Sequence, residues 1–455
     1  MCLRFLLVIV LLLTGCGVPE RQLSQSDTRL APQLCFARHV IDGSGSGADG
    51  VDVGDINQDG YPDVVGGWEE SAELKLYLHP GTSVREPNAT WKSVDVRGGQ
   101  SVASIEDAAF ADLNADGKLD AIVSATEGEG SSIHNRTIRL HQWDSTRPLD
   151  DPESWHGSAI FLDEPGDRFF KVRAAQLDGK NGADIVAASG DLQESVGDSE
   201  EITTKGGLFL YTSPPLAQIS NTAAWSRKRL ADVHKAKSIK LIDMDADQDI
   251  DILYSGTKNV LWLENPSDVD AGGEWVSHRI GTASDLALCD VNGDGLQDIV
   301  ATVSRKDYPV VARWFQGIRD KTKKVRSWQK HDIRIDPGLP FSFYQLEQFS
   351  LKSISCGHFR QHANQSGPQD IAITTTGSGY GIFLVVAPED FAQDYSAPWT
   401  AVPITPYRWI TKYDNIITVD MDSDGDLDLV TSEENQGWLL QGAGVLWYEN
   451  QDCES

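Results

Sequence analysis

Asp55-Ile56-Asn57-Gln58-Asp59-Gly60-Tyr61-Pro62-Asp63 decides the fold, because the pattern that it carries, Asp-x-Asn/Asp-x-Asp-Gly-x-x-Asp, returns along the chain. Three further clean copies run from Asp112 to Asp120, from Asp290 to Asp298 and from Asp420 to Asp428. Self-similarity of this kind indicates a repeat architecture, in which each copy marks one structural unit.

Three more copies depart from the pattern. The copy from Asp243 to Asp251 keeps the acidic residues but has Gln248 where a tight turn favours glycine. The copies from Gln176 to Asp184 and from Gly357 to Asp370 lack the full acidic set. The chain therefore contains seven copies, of which five keep the acidic residues.

The residues around each copy predict short strands. A run of small or apolar residues such as Ala108–Ala111 precedes the pattern, and β-branched residues such as Val64-Val65 follow it. A second apolar segment, such as Val260–Leu263, predicts a third strand. A fourth strand is predicted to begin at a tryptophan in six units: Trp91, Trp155, Trp225, Trp275, Trp328 and Trp399.

Four-stranded units that recur about every 60 residues are typical of β-propeller blades. Seven copies therefore predict an all-β, seven-bladed β-propeller of four-stranded blades. The last copy is followed only by Trp447-Tyr448-Glu449-Asn450 and five more residues, so its blade lacks an outer strand. Phe36–Ile41 matches Trp275–Ile280 in pattern, and we expect this N-terminal strand to close the last blade.

The N-terminus predicts export. Residues 1–15 carry Arg4 and an apolar run from Phe5 to Leu13, which is too short for a bilayer span and is typical of a signal peptide. Leu13-Thr14-Gly15-Cys16 resembles the bacterial lipobox, in which Cys16 would be lipidated; an ordinary signal peptide with an incidental cysteine is the alternative. Residues 16–34 are then a flexible tether and residues 35–453 the propeller. We expect an extracytoplasmic lipoprotein, in the outer membrane and periplasm or at the cell surface.

Four cysteines remain when Cys2 and Cys16 are set aside. Cys35 abuts the N-terminal strand and Cys453 follows the last one, so a disulfide between them would lock the ring where the chain ends meet. Cys289 and Cys356 occupy matching places in consecutive units and are predicted to form a second bridge. Free thiols are the alternative, which export disfavours.

The charge balance excludes one class of partner. The chain of 455 residues has 39 Lys+Arg against 68 Asp+Glu, a formal charge of −29. Such an acidic surface repels phosphate, so no nucleic-acid partner is expected. We expect a monomer, attached to a membrane only through its N-terminal lipid.

The acidic pattern predicts a metal site in each of the five acidic copies. Side-chain oxygens at alternate positions converge while glycine allows the sharp turn, and an all-oxygen cage suits Ca²⁺ better than Mg²⁺, Zn²⁺ or Cu²⁺. About five Ca²⁺ ions are expected. They are predicted to stiffen the hairpins, a sensing role being the alternative. The predicted ligands are Asp55, Asn57, Asp59, Asp63, Asp112, Asn114, Asp116, Asp120, Asp243, Asp245, Asp247, Asp251, Asp290, Asn292, Asp294, Asp298, Asp420, Asp422, Asp424 and Asp428.

These motifs resemble the FG-GAP/VCBS-type repeats of bacterial exported proteins, which share the hairpin with the propellers of integrin α-subunits. The resemblance covers roughly Cys35 to Cys453. It implies that each calcium hairpin joins the first strand to the second on one face of the propeller, and that the opposite face carries the function. It implies a binding scaffold rather than any particular chemistry, and the departures at Gln176 and Gly357 leave metal binding open there.

The loops of the opposite face combine carboxylates with aromatic residues, which suits a protein or glycan ligand; solvated loops packed at the channel mouth are the alternative. They are 68–70, 127–129, 191–194, 433–434, 168–171, 341–344 and 407–409. We expect a calcium-stabilised adhesion or binding scaffold. The enzymatic alternative is a calcium-assisted polysaccharide lyase or glycosidase that uses Glu69, Glu129 or Glu433 as acid or base, with Arg168 or Arg408 at the substrate. No catalytic residue is assigned.

Overall fold

The computed structural model describes residues 34–86, 89–99, 104–126, 137–162, 168–190, 192–196, 199–234, 236–256, 259–266, 273–307, 309–321, 325–335, 349–360, 367–389, 391, 393–434, 443–451 and 453. The predicted signal peptide, Cys16 and the tether up to residue 33 lie outside the described residues. The chain from Leu34 onwards forms one unit of tertiary contacts. Within the described part, no helix is long and apolar enough to cross a membrane.

The regular structure of the described residues is β-strand, with a few short 3-10 turns between strands. Five sheets have four strands each, arranged antiparallel in chain order except for one inserted hairpin. The first three sheets contain β2 (Ala48–Gly54), β3 (Asp63–Trp68), β4 (Glu73–Leu78) and β5 (Lys92–Asp95); β6 (Ile105–Ala111), β7 (Ala121–Thr126), β8 (Thr137–Trp143) and β9 (Trp155–Leu162); and β10 (Arg168–Ala175), β11 (Asp184–Gly190), β14 (Gly207–Thr212) and β15 (Ser226–Asp232).

The remaining strands follow the same order. The fourth and fifth sheets contain β16 (Ala236–Ile242), β17 (Asp251–Gly256), β18 (Val260–Glu264) and β19 (Val276–Gly281); and β20 (Leu286–Cys289), β21 (Asp298–Thr302), β22 (Val310–Arg319) and β23 (Val325–Arg334). An eight-stranded sheet contains β24 (Phe349–Gly357), β25 (Asp370–Tyr380), β26 (Ile382–Val386), β27 (Thr400–Pro403), β28 (Tyr407–Val419), β29 (Asp428–Glu433), β30 (Gly444–Gln451) and β1 (Cys35–Asp42).

Position within a sheet explains the burial of each strand. The second strands β3, β7 and β17 are buried along their whole length, because a neighbouring sheet covers each of their faces. The fourth strand is an edge strand, and β19 is largely exposed. In two sheets the tryptophan predicted at the start of the fourth strand is buried and anchors this edge. The indole nitrogen of Trp155 donates to the Leu149 carbonyl at 3.0 Å, and that of Trp225 donates to the Ile219 carbonyl at 2.9 Å.

Two features depart from a regular repeat of four strands. β25 and β28 are longer than their counterparts and pair with each other, Thr376 opposite Lys412 and Tyr380 opposite Tyr407, which fuses the last two four-stranded units into the eight-stranded sheet. The connection between β11 and β14 forms its own two-stranded hairpin, β12 (Leu192–Val196) and β13 (Ser199–Thr204). Both additions lie at the end of the strands opposite the acidic loops, since they follow second strands.

The sheets are arranged so that their first strands contact one another in turn. β2 contacts β6, and the contacts continue through β10, β16, β20, β24 and β28, which contacts β2 again. The apolar core has the same order, because each hydrophobic cluster lies between consecutive units. In one of them Trp447, Val445 and Met421 of the last unit pack with Val51 and Trp68 of the first. The architecture is therefore propeller-like.

The two ends of the chain meet in one sheet, as predicted. β1 pairs antiparallel with β30, with Phe36 opposite Asn450 and His39 opposite Trp447. The Cys35–Cys453 disulfide closes this junction across 418 residues of sequence, and a chain-entropy model gives such a bond about 6 kcal/mol. The second predicted disulfide, Cys289–Cys356, joins β20 to β24. Two disulfides are typical of an oxidising, extracytoplasmic environment.

Candidate functional site

The acidic loops lie at one end of the first strands. Each of them leaves the first strand of a sheet and enters the second, as Asp55–Asp63 does between β2 and β3 and Asp290–Asp298 between β20 and β21. Glycine at the sixth position of the pattern has a left-handed backbone, with φ of 88° at Gly60, 83° at Gly117, 80° at Gly295 and 95° at Gly425. Gln248 adopts the same conformation, with φ of 80°, so this loop keeps the turn despite the strain of a side chain there.

Hydrogen bonds within the first loop hold its carboxylates in place. Asp55 accepts from the backbone nitrogens of Asp59 (3.1 Å) and Gly60 (3.0 Å), and Asp59 accepts from Tyr61 N at 2.9 Å. The Asn57 amide nitrogen lies 3.0 Å from Asp59 Oδ2. The loop at Asp290 repeats this geometry, with Asn292 Nδ2 3.0 Å from Asp294 Oδ2, and in both loops Oδ2 of the fifth position faces the loop centre.

Two loops bring three carboxylates together. One oxygen each of Asp243, Asp245 and Asp251 lies within 4.8 Å of the others, and the same holds for Asp420, Asp422 and Asp428. The donor set of the five acidic loops is oxygen only, which fits a hard cation such as Ca²⁺. Carboxylates this close repel one another unless a cation or protons lie between them.

The aspartate that ends the pattern, at the ninth position in every copy except the longer one from Gly357 to Asp370, has a structural role in the acidic and the degenerate loops alike. Asp63 accepts from Ile56 N (3.2 Å) in its own loop and from His79 N (2.8 Å) at the end of the third strand. Asp184 and Asp370, in the two degenerate copies, accept from Ser213 N and Ala387 N in the same way. Burial raises the pKa of these carboxyls: to about 7 in Asp63 and Asp184, about 6 in Asp251 and Asp298, and about 8 in Asp428.

In each degenerate loop, a side chain of the loop itself donates hydrogen bonds to other groups of the loop. Gln176 Oε1 accepts from the backbone nitrogens of Asp178, Gly179 and Lys180, while its Nε2 donates to the carbonyls of Lys180 (2.6 Å), Asn181 (3.3 Å) and Gly182 (2.9 Å). In the other loop, the Arg360 guanidinium bonds both oxygens of Asp370, at 3.2 and 3.1 Å. An amide and a guanidinium thus stand where the acidic loops present oxygen atoms.

A cavity of about 360 Å³ lies at the opposite end of the first strands. All seven first strands, or the residues beside them, contribute to its wall. Its lining comprises Asp49, Glu69, Glu70, Glu106, Phe170, Lys171, Ala236, Lys237, Asp285, Lys352, Ser353, Lys412, Asp414, Asn415 and Glu434. Seven of these residues are acidic and four are lysines, so the cavity is polar and has an excess of negative charge.

Ion pairs organise one side of this cavity. Lys352 pairs with Asp414 and Lys412 with Glu434. Burial, reinforced by the Asp414 carboxylate, raises the pKa of Glu434 to about 7. Burial alone would raise the pKa of Asp414 too, but the ammonium groups of Lys352 and Lys171 lower it. Neighbouring carboxyls therefore have pKa values that are shifted in opposite directions.

The carboxyl of Asp49 is buried among other carboxyls of the cavity. The residue is 6% exposed, and one of its oxygens lies within 4.8 Å of oxygens of Asp414 and Glu434 and, in a second group, of Glu69 and Glu106. Burial raises its pKa well above the ordinary value, and Asp414 and Glu106 add to the rise. Asp49 therefore holds a proton more readily than a solvated aspartate does.

Further charged contacts link the first strands of consecutive units. The buried Asp107 carboxylate accepts from Val172 N at 3.0 Å and pairs with Arg173 at 2.7 Å and Lys171 at 3.7 Å. Asp285 accepts from the Ser353 hydroxyl at 2.5 Å and from Ile354 N at 3.2 Å. These bonds cross from one unit to the next and fix the wall of the cavity.

The structure places some of the residues predicted for the functional face in this cavity and others elsewhere. Glu69, Phe170, Lys171 and Glu434 line it. Trp68 and Glu433 are buried and not among the lining residues, and Arg168 stacks over Phe170 at 5.7 Å. Residues 127–129 and 341–344 lie outside the described residues, and the side chains of 191–194 and 407–409 are not described.

The sequence contains a signal for the cavity that motif analysis missed. Every copy has a charged residue five or six positions before its pattern begins, which places it near the start of the first strand. These residues are Asp49, Glu106, Asp107, Lys171, Lys237, Asp285, Lys352 and Asp414. Charge repeated in a strand that is otherwise buried indicates a polar channel along the axis.

Comparisons with known proteins agree with the repeat assignment. Residues 55–123, which include the first two acidic loops, match the family model of the FG-GAP-like repeat. The chain therefore carries an FG-GAP-type repeat, as its motifs predicted. A search of curated protein sequences gives no match.

Several solved structures are similar over most of the chain. A lectin from Agrocybe aegerita, described as recognising non-reducing terminal N-acetylglucosamine, is 12% identical with a TM-score of 0.44, covering 90% of this chain and 100% of its own. BBS1N in complex with ARL6DN is 8% identical with a TM-score of 0.48, covering 93% and 98%. AofleA from Arthrobotrys oligospora is 10% identical with a TM-score of 0.37, covering 82% and 91%. At these values no ligand is transferred to this chain.

Proposed function

We propose that this protein is an exported, lipid-anchored, calcium-stabilised seven-bladed β-propeller that binds a protein segment or a glycan at the face opposite its acidic loops. The circular order of contacts among the first strands supports seven blades, with β25–β28 pairing as an addition that joins the last two. The lipid anchor rests on the sequence around Cys16 and the oxygen-only donor set supports Ca²⁺.

Calcium would be held by the aspartates and asparagines at positions one, three and five of the five acidic loops, with the ninth-position aspartate beside them. When bound, the ion would neutralise carboxylates that otherwise repel one another, and so would strengthen each hairpin. Five such ions would bring the formal charge from −29 to −19. The remaining charge keeps the protein acidic, which agrees with a ligand that is not a polyanion.

The observation that carries the binding function is the cavity to which all seven units contribute. Both carboxylates and ammonium groups line it, so a ligand hydroxyl can donate to the first kind of group and accept from the second. Phe170 adds an apolar ring to the wall, which suits the apolar face of a sugar. A hydroxyl-rich ligand therefore fits this cavity better than an apolar one.

A glycan array probed with the purified, calcium-loaded protein tests this function. We expect Lys237→Met and Glu70→Gln, both at the cavity wall, to weaken binding of the selected glycan at least about tenfold, the cost of one charged hydrogen bond. Lys228→Met, on the outer strand β15, is the matched control and should bind normally. Binding that survives both cavity variants would place the ligand elsewhere; pull-down of a surface protein through the same residues would favour a protein ligand.

A glycosidase or lyase is the second candidate function, favoured by the opposite pKa shifts of Glu434 and Asp414. A carboxyl that keeps its proton beside one that stays ionised is the arrangement of a general acid with a nucleophile or base. Incubation with neutral and acidic polysaccharides would then release reducing or unsaturated ends. Glu434→Gln and Asp414→Asn should each abolish the release, and absence of any release from the unmodified protein would contradict this candidate.

A further inference from the structure

The loop from Asp420 to Asp428 receives an arginine from another unit on its carboxylates, unlike the loops at Asp55, Asp112 and Asp290. Arg85 follows the short 3-10 turn Gly81–Ser83 that leaves β4 in the first sheet. Its Nε bonds Asp422 Oδ2 and its Nη2 bonds Asp424 Oδ2. Among the described residues, Asp59, Asp116 and Asp294, at the same pattern position as Asp424, form no ion pair.

Arg85 binds the oxygen that faces the loop centre. In the loops at Asp55 and Asp290, Oδ2 of the fifth position points across the loop to the asparagine of the third. In the last loop, Oδ1 of Asp424 accepts from Asp426 N, which leaves Oδ2 for the guanidinium. Arg85 thus occupies the oxygen atoms of positions three and five that a cation would need.

The same arginine belongs to a network at the junction of the chain ends. Arg85 Nε lies 3.0 Å from Glu449 Oε1 on β30, and Glu449 Oε2 lies 2.8 Å from His39 Nε2 on β1. His79, at the end of β4, contacts the Met421 carbonyl of the loop at 2.9 Å and receives a bond from Gly81 N. These contacts connect the loop to β4, β30 and β1.

We propose that Arg85 and a divalent cation compete for the Asp420–Asp428 loop, so that this loop exchanges the guanidinium for Ca²⁺. The proposal rests on the calcium loops proposed above. Because a cation must first displace Arg85 from Asp422 and Asp424, the affinity of this loop for Ca²⁺ is lower than that of the loops at Asp55, Asp112 and Asp290. Its occupancy then reports calcium concentration where those three loops remain saturated, and it releases Arg85 from the two carboxylates.

Calcium titration of the full-length protein by calorimetry tests the exchange. We expect Arg85→Gln to tighten the weakest class of sites by at least about fivefold and to leave the tighter classes unchanged, as for coupled binding of two ligands. The control is Arg147→Gln, because Arg147 also pairs with two carboxylates, Asp151 and Glu153, neither of which belongs to an acidic loop. It should alter no class of sites.

Thermal melts give a second readout. Without calcium, Arg85→Gln should melt several degrees below the unmodified protein, because the loop loses the cation that pairs with Asp422 and Asp424, whereas in excess calcium the two should melt together. Identical isotherms for both proteins, or a weaker site in the variant, would overturn the exchange. An unmodified protein that binds no calcium at all would instead overturn the calcium loops on which it rests.

Discussion

The loop that begins at Gln176 and the loop that begins at Asp290 join equivalent strands but are held together by different chemistry. A neutral amide fills the first loop, since Gln176 both accepts from loop nitrogens and donates to loop carbonyls. In the second, Asp290 accepts from Asp294 N and Gly295 N, and the carboxylates of Asp294 and Asp298 stand nearby. The first hairpin is bridged internally, whereas the calcium ion proposed above would bridge the second.

This difference separates the fold from metal binding. The ninth-position aspartate is present in both loops and ties the loop to the third strand in both, through Ser213 N in one and Gly317 N in the other. The part of the hairpin geometry that the two loops share therefore depends on Asp184 and Asp298. The acidic residues that begin the pattern add negative charge, and under the proposed calcium binding we expect their loops, unlike the Gln176 loop, to depend on calcium.

Calcium removal should produce the largest effect. A site saturated at 100 times its Kd contributes about 2.7 kcal/mol, so loss of several sites should lower the melting temperature by at least about 10 °C. Differential scanning calorimetry in calcium and in excess chelator measures this, with magnesium as the control cation. If the melting temperature does not change in chelator, the acidic loops do not depend on calcium any more than the Gln176 loop does, and the proposed difference between the two kinds of loop is wrong.

Single substitutions in the two loops should respond oppositely to calcium. Gln176→Ala removes both sets of internal bonds, and we expect a loss of about 2 kcal/mol that is the same with and without calcium. Asp290→Ala should cost about as much in calcium and less than about 1 kcal/mol in chelator, where only hydrogen bonds are lost. Denaturant melts measure both, with the exposed Gln218→Ala as control. A calcium-dependent cost for Gln176→Ala would contradict its internal bridge.

Much of the fold could be predicted from the sequence because its repeat is local. The spacing of the acidic pattern and of the outer tryptophans is enough to order the strands, and the similarity of Phe36–Ile41 to Trp275–Ile280 was enough to pair β1 with β30. The structure gives this similarity a physical basis. His39 stacks on Trp447 and bonds Glu449, as His278 stacks on Trp262 and bonds Glu264.

What the sequence did not reveal depends on contacts between units. The fusion of β25 with β28, the Arg85 network and the cavity each bring together residues from different repeats. A motif of nine residues contains no information about these neighbours. The charges that precede each pattern, such as Asp49 and Asp414, do recur, but only their common place along the axis makes them one site.

The smallest expected effect is on pH dependence, and it distinguishes the two loops most finely. The pKa of Asp184 is about 7 in the folded protein and about 4 in an unfolded chain, so the folded state holds the extra proton between these values and loses stability as pH rises. From pH 6 to 8 this loss is about 1.4 kcal/mol.

Asp184→Asn should remove this loss of stability with or without calcium. Asp298→Asn should change the slope only in chelator, because bound calcium would keep that carboxylate ionised at both pH values. Denaturant melts at pH 6 and 8 in both conditions measure the four slopes; equal calcium sensitivity of the two variants would mean that the Gln176 loop, too, binds a cation.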